Sequence, residues 1–577
     1  MSLKRDLIVL SAMIIMLISF TFAWSVNDSL TTYSSAEAID VGAQTAVTIL
    51  PSPFIAQGNN QIALTVTLQN SALSAKTVTM YILPLDVNGD VISGCTPATV
   101  TETNILITMS GTRVFSYTFT KTDLRFEISS FQIILDDTTS GILQSVSYNE
   151  EGTTNAPKAM VAYSNTTAYP DYRMYELIWS AERKVSLSST GGTQIVEVRG
   201  EYNPVSIMRD TTVVVSLNTG GYIDAYTYDG STWTMTNLGR IGTSVTAGTR
   251  PFDVAYENST GRAMVVYNMQ GTDATKDLAY RIFDGRNWSA EAYIQDTTTG
   301  KQTYYWVQLA SKMVGGSTEI AMVGLNSVFY ANAWIWSGSS WGTMKALNTS
   351  TKLVTSASYE GCAIAYEYTS GNIIALSSSG KNVRYYRYTG TWSAEVDLPM
   401  GSGPGGGNIN FLTLKSHKVA SSNEMMLLSL DSAIDAIARY WSGSSWGVAI
   451  VLDNSMNIAT RRCIDGDWEP TGAQFIAVGG DSAIAAISYK TWTPAGGWVP
   501  STSGTWSPFS GLTTAQDWVQ VRTNLKAADP QVLIGTLDSG SDLVITTWTG
   551  SAMANQIEAT ATSLRTFEAF DIMPSIP

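Results

Sequence analysis

The chain has 577 residues, of which 14% are charged and 44% hydrophobic, and its formal net charge is −14. That balance excludes a disordered chain and weighs against a phosphate-tracking surface, so nucleic acid is not an expected partner. One histidine and three widely spaced cysteines, Cys95, Cys362 and Cys463, exclude a disulfide scaffold and a His-rich metal site, and no cofactor or metal is expected.

Lys4 and Arg5 precede an uncharged apolar run from Leu7 to Trp24. At 1.5 Å per residue a helix of that length spans about 27 Å, enough for a thin bilayer core. The basic flank keeps the N-terminus in the cytoplasm and places the remainder outside. Thr21-Phe22-Ala23 offers a signal-peptide cut, while the length suits an uncleaved anchor, and both readings stand. Residues 1–46 are therefore a signal, an anchor or a long helix continuing from Asp28 to about Ala46. In that last form the first fifty residues resemble type IV pilins and archaeal pilin-like proteins, which implies incorporation into a filament. Lys4-Arg5-Asp6 departs from that pattern, because no small residue precedes the cut. Sequons at Asn27, Asn165, Asn258, Asn287 and Asn348 accord with an exported glycoprotein.

Residues 47–150 hold short alternating runs, among them I-A-L-T-V-T-L from Ile62, T-V-T-M-Y-I-L from Thr77 and F-S-Y-T-F from Phe115. Runs of this length and spacing predict a β-sandwich. Asp86-Val-Asn88-Gly-Asp90 has the opening of a calcium loop without its closing glutamate, and reads as a hairpin turn.

From residue 156 to 577 one phrase recurs: an aromatic residue, a spacer, a glycine, then a tryptophan. Its tryptophans are Trp179, Trp233, Trp288, Trp341, Trp392, Trp446 and Trp498, and the last copy, W-T-G-S-A-M, runs from Trp548 to Met553. Successive copies lie 51 to 55 residues apart. In the clearest copy four alternating runs follow one another, from Arg250, Ala263, Leu278 and Asn287. Four antiparallel strands per period make a propeller blade, and eight copies predict eight blades, or seven if the degenerate first copy belongs elsewhere. The first copy lacks an opening strand and begins at Lys158, whereas R-T-F-E-A-F-D-I from Arg565 supplies an opening strand alone. The tail therefore closes the ring by completing the first blade. Aromatics at equal positions in successive blades read as packing between neighbours, with a ring of sugar-stacking aromatics as the alternative.

The phrase resembles the repeats of sialidase-like and lectin-like propellers over about Ala156 to Ile576. It departs from the Asp-box of sialidases, since Asp229 is followed directly by Gly230 and most copies lack the aspartate. What the sialidase resemblance implies is a glycosidase at the propeller axis, with Arg250, Arg462 and Arg565 as its arginines and Asp253, Asp465 and Asp571 nearby. Equivalent positions in separate blades equally make structural Arg–Asp pairs. Asp465 and Asp467 are candidates for the carboxylate pair that glycoside hydrolysis uses, whose separation the sequence does not give. Gly401–Asn408 is a glycine-rich surface loop with no phosphate-binding lysine after it, and His417 reads as a solvated residue.

The expectation is an all-β protein on the outer face of a cell or virion, tethered through residues 7–24. Its propeller binds surface glycans, proteins or copies of itself, and no catalytic site is assembled. The rival is the exported glycosidase.

Overall fold

The computed structural model describes residues 47–574 except 51–53, 58–60, 71–73, 86–94, 98, 122–129, 138–141, 150–158, 176–178, 205–210, 230–231, 243–247, 298–299, 314–315, 349–353, 401–405, 483–485, 510–514, 525–531 and 561–567. The apolar run 7–24, the helix expected over 28–46 and the turn at 86–90 lie outside the described residues. Among those described, no helix is long and apolar enough to cross a membrane.

The first strands form two antiparallel sheets. One contains Val47–Leu50, Phe54–Gln57, Gln61–Asn70, Cys95–Thr96 and Thr112–Lys121. The other contains Lys76–Leu85, Val100–Ile107, Ser130–Asp137 and Ile142–Asn149. Alternation puts every second side chain on one face. Leu64, Val66 and Leu68 of the first sheet and Met80, Ile82 and Ile133 of the second join one buried cluster.

Eight antiparallel sheets follow, seven of them running in chain order from a buried innermost strand to a more exposed outer one. We number the blades by their innermost strands. Blade 2 begins with Ile195–Tyr202, blade 3 with Phe252–Tyr256, blade 4 with Tyr304–Ser311 and blade 5 with Cys362–Tyr366. Blade 6 begins with Ile409–Ser416, blade 7 with Ile464–Trp468 and blade 8 with Gln516–Thr523. Blade 1 is the composite one. Its second and third strands are Ala159–Ser164 and Pro170–Tyr175, and its innermost strand is Phe570–Pro574. Tyr163 lies opposite Phe570 and Ala159 opposite Pro574. Each innermost strand touches the next around the axis, and blade 8 returns to blade 1, so the ring is closed. The protein is an eight-bladed β-propeller.

The recurring phrase is the turn from the third strand of a blade to its outer edge. The aromatic before the turn pairs across it with the tryptophan after it, as in Tyr175–Trp179, Phe283–Trp288, Trp336–Trp341, Tyr388–Trp392 and Trp441–Trp446. Tyr228–Trp233, Trp492–Trp498 and Trp548–Met553 complete the eight. The residue after the aromatic caps the turn with its own side chain. Asp229 accepts from the Thr232 amide, Asp284 from Asn287 and Ser442 from Ser445. The phrase glycine takes positive φ, +98° at Gly285 and +95° at Gly338, which fixes its identity.

The blades alternate in kind. Innermost strands of the even blades carry a bulge near their start, at Ile195/Glu197, Tyr304/Trp306, Ile409/Phe411 and Gln516/Trp518. Outer strands of the same blades bulge again, at Leu238, Leu347, Leu452 and Ala559. The pairings of odd blades run without these shifts. Blades 1 and 2 share a main-chain bond in which the Val198 amide donates to Glu568 O at 3.0 Å. The same bond joins Val307 to Arg250, Leu412 to Glu360 and Val519 to Arg462, each at 3.0 Å. The structural unit is thus a pair of blades, repeated four times.

Candidate functional site

Among the described residues, polar side chains gather at the axis and at the outer ends of the seams between blades.

At the axis, the residue two positions ahead of each odd innermost strand is Glu568, Arg250, Glu360 or Arg462, in ring order. All four are buried. Arg250 Nη2 lies 2.8 Å from Glu360 Oε1, and Arg250 Nε lies 3.5 Å from Glu568 Oε1. Arg462 Nη1 reaches Glu360 Oε2 at 3.5 Å. Arg199 adds a 2.8 Å bridge to Glu568. The carboxylates hold the Arg250 guanidinium well above its usual range despite its burial.

Just beyond this plug, Asp253, Asp465 and Asp571 accept from the amides of Leu309, Val521 and Gly200, each in the following blade, at 2.8 to 2.9 Å. Further along, Lys415 lies 3.2 Å from Asp465, Lys418 3.0 Å from Asp467, and Arg522 3.9 Å from Glu201. Burial, reinforced by Asp571 and Asp253 and opposed by Arg522, pushes the Glu201 carboxyl up to about 7.

The axial arginines are thus placed differently from the sialidase expectation. Arg250 and Arg462 do meet at the axis, but Glu360 and Glu568 neutralise them. Arg565 lies outside the described residues, and the position in register with Arg250 is Glu568. Asp465 and Asp467 are each engaged by a lysine and a neighbouring amide. His417 corrects the solvated reading, because it is buried against Trp468 at 4.6 Å between ring centroids. Its Nε2 lies 3.0 Å from Gly472 O, and burial lowers its pKa. Gly472 leaves the room for this contact, since a Cβ there would overlap the imidazole.

The seams are of two kinds. Between an odd blade and the next even one, a tyrosine of the odd blade's third strand wedges against the aromatic pair of the neighbour. Tyr172 meets Trp233 at 5.2 Å, Tyr280 meets Trp336 at 5.7 Å, Tyr385 meets Trp446 at 6.0 Å and Tyr489 meets Trp548 at 5.1 Å. At three of these wedge seams an indole N–H also donates to a buried glutamate of the odd blade. The pairs are Trp336 to Glu257 at 2.8 Å, Trp441 to Glu367 at 3.0 Å and Trp548 to Glu469 at 2.8 Å.

Between an even blade and the next odd one the outer end is polar. At seam 8/1 the Tyr163 hydroxyl lies 2.7 Å from Glu182 and 3.2 Å from Ala559 O, and Arg173 Nε donates to the same carbonyl at 2.9 Å. At seam 2/3 the Tyr267 hydroxyl lies 2.5 Å from Glu291 and 2.7 Å from Leu238 O, with Arg281 alongside. Gly239 makes room, since a Cβ there would sit 2.8 Å from the Tyr267 hydroxyl. At seam 4/5 Tyr386 contacts Glu395 and Leu347 O, and Arg384 lies 3.1 Å from Glu395. In each case the carbonyl belongs to the bulge residue of the even blade's outer strand. Burial first, and then the glutamate, raises the pKa of all three tyrosines.

The glutamates of these latch seams come from the Trp-Ser-Ala-Glu copies at Trp179, Trp288 and Trp392. Trp179 is buried, while Trp288 and Trp392 are half-buried. The eight phrase tryptophans lie in clusters between blades: Trp233, Trp341, Trp446 and Trp548 at wedge seams, Trp179, Trp288, Trp392 and Trp498 at the other seams.

No family model matches the sequence, and no curated protein matches it. Among solved structures the chain is similar to the BP39L lectin from Burkholderia pseudomallei. The TM-score is 0.44 at 12% identity, over 63% of this chain and 98% of that one. It is also similar to the six-bladed lectin of Aleuria aurantia, with a TM-score of 0.31 at 13% identity over 56% and 90% of the two chains. For AofleA from Arthrobotrys oligospora the TM-score is 0.36 at 12% identity, over 66% and 90%.

Proposed function

We propose that this protein is an exported, membrane-tethered carbohydrate-binding protein that takes saccharides at the outer ends of its latch seams. Residues 7–24 are its anchor. The paired sheets of residues 47–150 are a β-sandwich base, and residues 156–577 are the displayed propeller.

The observation that carries this reading is the recurrence of a Tyr–Glu–Arg trio beside a phrase tryptophan at three seams. A carboxylate accepts and a guanidinium donates, so the pair serves two adjacent hydroxyls of one sugar ring. At seams 2/3 and 4/5 the half-buried Trp288 and Trp392 offer apolar surface to the C–H side of that ring. At seam 4/5 these groups sit on different positions of the blade: Tyr386 occupies the strand position of Arg281, and Arg384 that of Ala279. The chemistry is kept although the register is not.

The test is a glycan array probed with the full chain and with the triple variant Glu182→Gln, Glu291→Gln, Glu395→Gln. The parent is expected to bind a restricted set of glycans and the variant to lose at least tenfold in signal. A silent parent, or a variant that binds as the parent does, overturns the reading.

A further inference from the structure

The fourth latch seam, between blades 6 and 7, has the same outer-strand bulge at Leu452 but none of the trio. Its second-strand position equivalent to Tyr163 and Tyr267 is Gly479, opposite Ser488. The space is taken by Trp506, because a Cβ on Gly479 would lie 2.9 Å from that indole ring. The indole N–H donates to Asp453 of the blade 6 outer strand.

The bulge carbonyl, which receives the tyrosine hydroxyl at the other three seams, here accepts from the Gly504 amide at 2.9 Å. The third-strand position of Arg173 and Arg281 is Lys490, which is buried. Its ammonium donates to Pro500 O at 3.1 Å and to Thr502 O at 2.8 Å. One segment, 500–506, therefore supplies an aromatic ring, a donor for the carbonyl and two oxygen acceptors for the cation.

At seams 2/3 and 4/5 the arginines keep unused capacity. Arg281 Nε and Arg384 Nε are buried with no hydrogen-bond partner.

We propose, resting on the carbohydrate reading above, that the propeller is trivalent: saccharide sites at seams 8/1, 2/3 and 4/5, and a fourth seam filled by the chain's own 500–506 segment. The three sites stand at successive two-blade steps around the ring, which suits a surface carrying repeated sugars better than one free oligosaccharide. Multivalent engagement raises apparent affinity without any new contact.

Native mass spectrometry of the full chain titrated with methyl α-L-fucoside, methyl α-D-mannoside and methyl β-D-galactoside reads the stoichiometry. With the sugar that binds, three copies per chain are expected at saturation. Glu182→Gln, Glu291→Gln and Glu395→Gln are each expected to remove one copy, and Asp453→Asn at the filled seam to remove none. Arg281→Ala provides a second variant at seam 2/3 and is expected to leave two copies, with the melting temperature read in parallel to confirm folding. Four or eight copies, or a single copy insensitive to these variants, overturn the trivalent assignment while leaving carbohydrate binding intact. No binding of any of the three sugars overturns both.

Discussion

The wedge seams and the latch seams do different work with the same residue types. Both bring a tyrosine from an odd blade against an even neighbour. In the wedge seam the ring does the packing, and at three of the four a buried glutamate accepts from an indole N–H of the next blade, with Arg262 or Arg387 paired to it at seams 3/4 and 5/6. In the latch seam the hydroxyl is the contact, and its partners are a rim glutamate and a bulge carbonyl. The first kind continues into a main-chain bond at the axis and welds two blades into one unit. The second lies between units, and its charged groups stay near solvent. The saccharide sites proposed above therefore lie between units, although glutamate–arginine pairs also line the wedge seams at Glu257–Arg262 and Glu367–Arg387.

The comparison breaks first at Trp441. Trp441→Ala removes a buried ring from seam 5/6 and leaves the Glu367 carboxylate without its indole donor. The expected loss is about 3–5 kcal/mol, read by denaturant unfolding. A loss below about 1 kcal/mol would mean the wedge seams are not the stronger joints. Tyr267→Phe at seam 2/3 removes only the hydroxyl, and Glu291, half-buried, regains water. The expected loss is about 0.5–1.5 kcal/mol by the same measurement. If it equalled the effect at Trp441, the two seams would be energetically alike.

A further effect concerns neither seam and serves as the axial reference. Glu201 titrates near 7 in the folded chain against an ordinary value of 4.5. Between those values the folded state keeps a proton that the unfolded state releases. Stability contributed by this group is therefore highest below about pH 4.5 and falls as pH rises through 7. Glu201→Gln is expected to flatten that part of the curve of melting temperature against pH. An unchanged slope would show that another group carries it.

Much of the ring was legible because its signals are local. The tryptophan phrase marks one turn per blade, and the orphan strand at the tail matched the blade lacking one. The two-blade unit was less visible. Its marks are dispersed: Glu257, Glu367 and Glu469 follow only odd innermost strands, and Trp-Ser-Ala-Glu occurs only in blades 1, 3 and 5. The axial register slipped for a specific reason. Arg565-Thr-Phe-Glu looks like Arg250-Pro-Phe-Asp, so the tail was aligned three residues early. Pairing of Phe570 with Tyr163 fixes the true register and puts Glu568 where an arginine was expected. The opposite charges of successive units follow from that shift. Seam 6/7 could not be read at all, because Trp506 substitutes for a side chain on a different strand.

Blade 1 has a consequence in time. Its second strand, Ala159–Ser164, is made early, but the partner that covers its inner edge, Phe570–Pro574, is made about four hundred residues later. At ribosomal speeds of roughly 5–20 residues per second, that edge waits about 20–80 s for its match. A nascent chain of this protein passes through an unlocked arc that a chaperone or a neighbouring chain can reach before the circle shuts.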